Sequence, residues 1–193
     1  MAEKKIDARV RLTKLKIRSS FVSLLREKTP AEVTVTDICS LAEINRTTFY
    51  AHYRDPADLM KSLENELLEN IIEIIGNSLG GDMADLRRIL PAILSYMKSE
   101  ADICLVLMAD LSDSGFVMRC LRILESRFAL RYSEFTGMSP ELAEQLFIYG
   151  AMGSVGLLHR WLQSGCGESP EFMSELIISL FNSGASAFSP QSK

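Results

Sequence analysis

Apolar residues recur at three- and four-residue spacing along most of the chain, and the breaks between these runs carry helix caps and turn residues. The pattern predicts an all-α fold of about nine helices. Val10, Ile17, Phe21, Leu24 and Leu25 give one stripe to a long helix over 4–28, closed by Thr29-Pro30. Within 33–54 the pattern shortens into two small helices joined by a tight turn. Thr34 caps the first, with Asp37 as the acidic half of a capping box, and Val35, Ile38 and Ala42 share its inner face. Ile44 fills the turn and Asn45 caps the second. Asp55-Pro56-Ala57-Asp58 then opens a helix over 56–75 with Leu59, Leu63, Leu67 and Ile71 at near-heptad spacing.

Gly76-Asn77-Ser78 and Gly80-Gly81 form the strongest break, dividing a head (1–54, with its connecting helix 56–75) from a body (76–193). In the body, Asp82 is placed to cap a helix over 83–98, which Pro91 is expected to bend. A short apolar helix over 101–108 and a longer one over 116–132 follow. Ser139-Pro140-Glu141 and Ser169-Pro170-Glu171 each start a further helix. The first of these, to about 163, is apolar on much of its circumference and holds Gly150, Gly153 and Gly156, each costing about 1 kcal/mol relative to alanine unless close packing offsets it.

A helix as short as the one after Asn45 does not stand alone. It spends its first turn on Arg46, Thr47 and Thr48 and is anchored by Phe49, an arrangement suited to entering a nucleic-acid groove. Arg46 can pair with guanine acceptors, and a threonine methyl can pack on a thymine methyl. Charge supports this placement. The net charge of −4 conceals a basic head, with 11 Lys and Arg against 6 acidic residues in 1–54, and an acidic body, with 10 against 19. Lys4, Lys5 and Lys14 crowd the start of the first helix, where they can neutralise phosphates without reading sequence, and a merely solvated basic face is the alternative for each.

Other chemistries find little support. The sequence has no glycine-rich phosphate loop, no HExxH pair and no nucleophile elbow, so an enzyme is not expected. No cofactor or metal is implied: Cys39, Cys104, Cys120 and Cys166 lack ligand spacing and read as small buried hydrophobes in a reducing compartment, with redox sensing the alternative. No apolar run reaches spanning length, which makes the cytoplasm the expected location, with no membrane partner.

The run Ile44-Asn45-Arg46-Thr47-Thr48-Phe49-Tyr50, with His52-Tyr53 behind it, resembles the DNA-binding domain of the TetR family of one-component bacterial regulators, over roughly residues 10–72. A weaker resemblance covers 142–180, where a long apolar helix, Trp161, a small-residue turn and Ser169-Pro170-Glu171 look like the C-terminal domain of the family's Firmicutes-type subgroup. The resemblance implies a three-helix helix-turn-helix head on a larger ligand-binding and dimerisation body. It also implies phosphate contacts from Tyr50 and from Thr36, His52 and Tyr53, with capping or packing the alternative for His52. Thr34, Asn45 and Arg54 complete the expected DNA-binding set. The family usually has a lysine where this chain has Pro56, so one phosphate contact is missing.

The last two helices carry more apolar surface than one partner side requires, which suggests a four-helix interface in a two-fold homodimer. Its candidate residues are Leu142, Leu146, Tyr149, Met152, Gly153, Gly156, Trp161, Phe172, Leu176, Leu180 and Phe181. A dyad would set two recognition helices on an approximately palindromic operator of double-stranded DNA. Met97, Cys104, Met108, Cys120, Leu124, Phe128, Met152 and His159 are candidates to line a pocket for an unidentified small-molecule effector, with ordinary core packing the competing account of each. Arg119, Arg122, Arg127 and Arg131 share one helix, and an inward-facing member would favour an anionic effector. The expected function is an effector-released repressor; the alternative is a TetR-like coactivator acting through a protein partner.

Overall fold

A computed structural model describes residues 2–76, 83–109 and 115–188, with every side chain except those of 2–7, 83–85, 126–132, 134 and 135. Among these residues the chain forms nine helices and no strand: α1 (Ala2–Leu24), α2 (Val35–Ala42), α3 (Arg46–Tyr50), α4 (Pro56–Gly76), α5 (Met83–Ser99), α6 (Ala101–Met108), α7 (Gly115–Thr136), α8 (Pro140–Gln163) and α9 (Pro170–Ser186). The all-α expectation therefore holds. Two compact units are present, Met1–Leu67 and Leu68–Lys193, so the division falls inside α4.

In the first unit α1 lies against α2 and α2 against α3. Ile17 and Phe21 of α1, Ile38, Cys39 and Ala42 of α2, Phe49 of α3, and Leu59, Leu63 and Leu67 of α4 are its buried side chains, with Val33 from the loop before α2. Helix α1 stops four residues before the expected end. Beyond Leu24 the backbone tightens into bonds of three-residue span, Arg26 N–H to Ser23 O and Glu27 N–H to Leu24 O. Glu32 then accepts from the Thr29 N–H at 2.9 Å and from its hydroxyl at 2.8 Å, turning the chain toward α2.

In the second unit the most extensive contacts are α5 with α9 and α7 with α8, and α6 also packs on α8. Helix α5 runs unbroken through Pro91. Helix α7 extends four residues past the expected end and stops at Gly137, whose φ of 70° lets its N–H turn back to Ser133 O at 2.9 Å. Ser139 and Ser169 cap α8 and α9 as expected, each side chain accepting from the backbone N–H three residues on, Leu142 and Phe172. The Asp82 cap and the Gly80-Gly81 break lie outside the described residues. Asn70 Nδ2 donates to the Tyr96 hydroxyl at 2.7 Å and ties the end of α4 to α5. Trp161 is buried and its Nε1 donates to Glu168 O at 3.1 Å, fastening the turn between α8 and α9.

Candidate nucleic-acid interface

The short helices of the first unit are held by their own caps. Thr34 accepts from the Asp37 N–H at 3.2 Å, and Asp37 Oδ2 accepts from the Thr34 N–H at 3.0 Å, closing the capping box. Lys28 Nζ stands 3.1 Å from the same carboxylate. These bonds, the Thr34 backbone donor foremost, hold the Asp37 carboxyl below its ordinary range. Helix α2 ends on Glu43 in the left-handed region (φ 54°), and the Ile44 N–H reaches back to Cys39 O at 3.0 Å. That reversal turns the chain into α3.

Asn45 caps α3, its Oδ1 accepting from the Thr48 N–H at 2.7 Å and from the Thr48 hydroxyl at 2.9 Å. Phe49 is fully buried, with the Tyr50 ring edge-on at 5.7 Å and the Tyr53 ring tilted at 5.9 Å. One turn of helix is thus pinned by an aromatic below and a cap at its start. Arg46, Thr47 and Tyr50 remain exposed, and Thr48 is half-buried by its bond to the cap. Arg46 Nη2 donates to Thr36 Oγ1 at 2.7 Å, joining the starts of α3 and α2.

The other expected contacts divide. Thr34 and Asn45 are engaged as caps. Tyr53 is half-buried; desolvation, and next Glu66, raise its hydroxyl pKa, and Ser62 hydrogen-bonds to it. His52 is half-buried, its ring 6.4 Å from that of Tyr53. Arg54 is highly exposed and pairs with Asp58 at 3.0 Å, while Asp55 Oδ1 accepts from the Asp58 N–H at 2.8 Å to start α4. An ion pair this exposed is weak, because solvent screens it, so a phosphate can displace Asp58. On α1, Arg9, Arg11, Lys14 and Lys16 are exposed; the side chains of Lys4 and Lys5 lie outside the described residues. Sequence reasoning missed the Thr36–Arg46 and Lys28–Asp37 contacts, since neither residue type nor spacing announces them.

In the second unit the expected interface residues separate into two groups. Tyr149, Met152, Gly153, Gly156, Phe172 and Leu180 are exposed, whereas Leu146 and Trp161 are buried within the chain itself. Leu142 and Phe181 pack against the cluster of Met138, Ala143, Leu146 and Ala185, and Leu176 is half-buried. A groove of about 470 Å³ runs between α8 and α9, lined by Ile148, Tyr149, Met152, Gly153, Leu157, Leu180 and Phe181 among others. Met152 belongs to this outer groove. Of the remaining effector candidates, Met97, Cys104 and Met108 are buried, Cys120, Leu124 and His159 are half-buried, and the Phe128 side chain lies outside the described residues. Among the α7 arginines, Arg119 has its Nε shielded from solvent and Arg122 is exposed, while the side chains of Arg127 and Arg131 are not described.

Comparison with known proteins adds four matches. Residues 84–183, just over half of the chain, match the family model TetR_C_8, a transcriptional regulator C-terminal region. Over 72 residues the chain is 35% identical to the uncharacterised HTH-type transcriptional regulator YxbF of Bacillus subtilis strain 168; that match covers 37% of this chain and 19% of the relative, so the chain spans about a fifth of that relative's length. Among solved structures, a TetR transcriptional regulator from Streptococcus agalactiae 2603V superposes with a TM-score of 0.64 at 25% identity, covering 94% of this chain and 99% of the other. The dihydroxyacetone kinase operon activator DhaS, at 18% identity, shares the fold with a TM-score of 0.61 over 92% of this chain and 98% of its own.

Proposed function

The chain belongs to the TetR family of transcriptional regulators, and from that premise we propose that it binds double-stranded DNA as a homodimer and represses transcription until a small-molecule effector releases it. The observation that carries the DNA-binding part is the build of α3: capped by Asn45, anchored by buried Phe49, and presenting Arg46, Thr47 and Tyr50 to solvent. Arg46 and Thr47 read base edges, with Thr48 at the margin of the same face. Tyr50, His52, Arg54 and the basic residues of α1 take phosphates, which sets affinity and its salt dependence.

One five-residue helix reads too few bases for useful specificity. Two copies joined through the exposed faces of α8 and α9 present two such helices to half-sites about 34–36 Å apart, or a multiple of that, on a near-palindromic operator. The exposed Tyr149, Met152, Phe172 and Leu180 beside the small Gly153 and Gly156 support that interface. The effector occupies the body among α5, α6 and α7, where Met97, Cys104 and Met108 supply adaptable apolar walls. Its differential affinity for two arrangements of the body shifts the population away from the DNA-competent one.

The test is a duplex selected by the protein from a random library, then challenged with Arg46→Ala/Tyr50→Phe. Specific binding is expected to collapse while helicity and oligomeric state persist; unchanged binding removes this site. Footprinting upstream of the protein's own gene separates direct binding from action through a second protein.

A further inference from the structure

We propose that Thr36, on α2, is a positioning residue for Arg46, so that sequence discrimination by α3 depends on a hydroxyl outside it. This rests on the DNA-binding reading above. Arg46 Nη2 donates to Thr36 Oγ1 at 2.7 Å across ten residues of sequence. Thr36 sits in the first turn of α2, which is fixed by the Thr34–Asp37 capping box and by Lys28 on Asp37. At the other end of the contact, Asn45 fixes the first turn of α3. Both ends of the bond are therefore anchored in capped helical turns, and the rotatable stem of Arg46 lies between them.

An arginine at the surface samples many rotamers and loses that freedom when it engages a base. Thr36 removes part of the loss before DNA arrives. It does so without consuming the reading edge. A guanidinium carries five N–H donors, and one bond to Thr36 leaves a second hydrogen on Nη2 together with those on Nη1 and Nε. A bidentate fork toward guanine O6 and N7 remains intact. A phosphate contact by Thr36 itself, the role implied by family resemblance, makes a different prediction: the hydroxyl then contributes independently of Arg46.

A double-mutant cycle separates the two. Thr36→Val, Thr36→Ser, Arg46→Ala and Thr36→Val/Arg46→Ala are titrated against the library-selected duplex and a scrambled duplex of equal length. Thr36→Val is expected to weaken the selected duplex roughly three- to tenfold, the size of one hydrogen bond, and to leave the scrambled one unchanged. Thr36→Ser, which keeps the acceptor, restores affinity. In the Arg46→Ala background Thr36→Val costs nothing further; an equal loss there overturns the proposal. Side-chain ¹⁵N relaxation of Arg46 in the DNA-free protein gives a second reading. The guanidinium is expected to be ordered in the wild type and mobile in Thr36→Val. Equal mobility in both overturns the proposal whether or not any duplex is selected, whereas failure to select a duplex overturns the DNA-binding reading alone.

Discussion

The ring of Phe181 lies over Gly150 so closely that a β-carbon there would stand 2.8 Å from Phe181 Cε2, with Cδ2 nearer still. The contact brings α9 onto the backbone of α8 and explains one glycine in a helix interior. Alanine at this position improves helix propensity by about 1 kcal/mol. It also forces the ring aside, and overpacking costs about 1–3 kcal/mol. Gly150→Ala is therefore expected to lower stability in urea denaturation by about 1 kcal/mol, and Phe181→Leu in the same chain to recover most of it. A stabilised Gly150→Ala would mean that the ring moves away freely.

Gly153 and Gly156 differ, because a β-carbon at either meets nothing within 4 Å in the chain. Their cost finds no compensation inside one copy, whereas the close approach of a second copy would supply it. Gly153→Leu, and separately Tyr149→Glu/Leu180→Glu, are expected to leave helicity intact while sedimentation equilibrium gives the 21.6 kDa mass of one chain. Operator affinity falls with them. A dimer that survives both variants places its interface elsewhere.

The contrast between these glycines shows what the sequence could and could not disclose. Caps were legible because each acts within four residues: Thr34, Asn45, Ser139 and Ser169 each accept from the N–H three places on. The inward and outward faces of α3 were legible for the same reason, with Phe49 buried and Arg46 outward. Trp161 and Leu146 carry the same apolar signal as Tyr149 and Leu180, yet the first pair is enclosed by the chain's own packing and the second is exposed. Apolar periodicity marks that a position avoids water and is silent on which neighbour covers it. The Thr36–Arg46 contact spans ten residues and depends on the angle at Glu43, which no local pattern encodes.

That angle is set by a residue ill-suited to it. Glu43 holds φ 54° and ψ 45°, a region costing a residue with a β-carbon roughly 1 kcal/mol that glycine avoids. Glu43→Gly is expected to raise the stability of the first unit by about 0.5–1 kcal/mol, less the entropy glycine loses on folding. Amide hydrogen exchange at Ile38 and Phe49 reads the change locally. Faster exchange at both would show that the glutamate side chain, and not the backbone shape, holds the turn.

Acid should loosen the same unit. The Thr34 N–H, then its hydroxyl, then Lys28 hold the Asp37 carboxyl below the ordinary 3.8, and the Arg54 N–H and guanidinium do the same for Asp58. A carboxyl whose folded pKa is depressed contributes stability in full above its unfolded value, and loses it as pH falls through the folded one. Thermal melts are therefore expected to be flat near neutrality and to drop below about pH 4. Asp37→Asn should melt lower than wild type at pH 7 and show a shallower fall in acid. Parallel curves for the two proteins would assign the acid loss to other carboxyls.

The cysteines of the body offer a probe of its packing. Burial pushes the Cys104 thiol up to about 12 and the Cys120 thiol up to about 11, with Glu100 adding to the first and Arg119 opposing the second. At pH 8 the thiolate fraction of Cys104 is then about one in ten thousand, and the thiolate is the reactive form. Cys39 and Cys166 are buried like Cys104, whereas Cys120 is half-buried, and desolvation raises Cys39 and Cys166 as well. Ellman's reagent at pH 8 is expected to find almost no reactive thiol in the folded protein and all four after denaturant, arguing against a redox sensor built on these side chains. An effector that expands the body between α6 and α7 would expose Cys104 and Cys120 first. Mass-spectrometric mapping of slow alkylation, with and without a candidate compound, checks this: selective acceleration at those two positions locates the binding region, and uniform labelling of all four reports global unfolding instead.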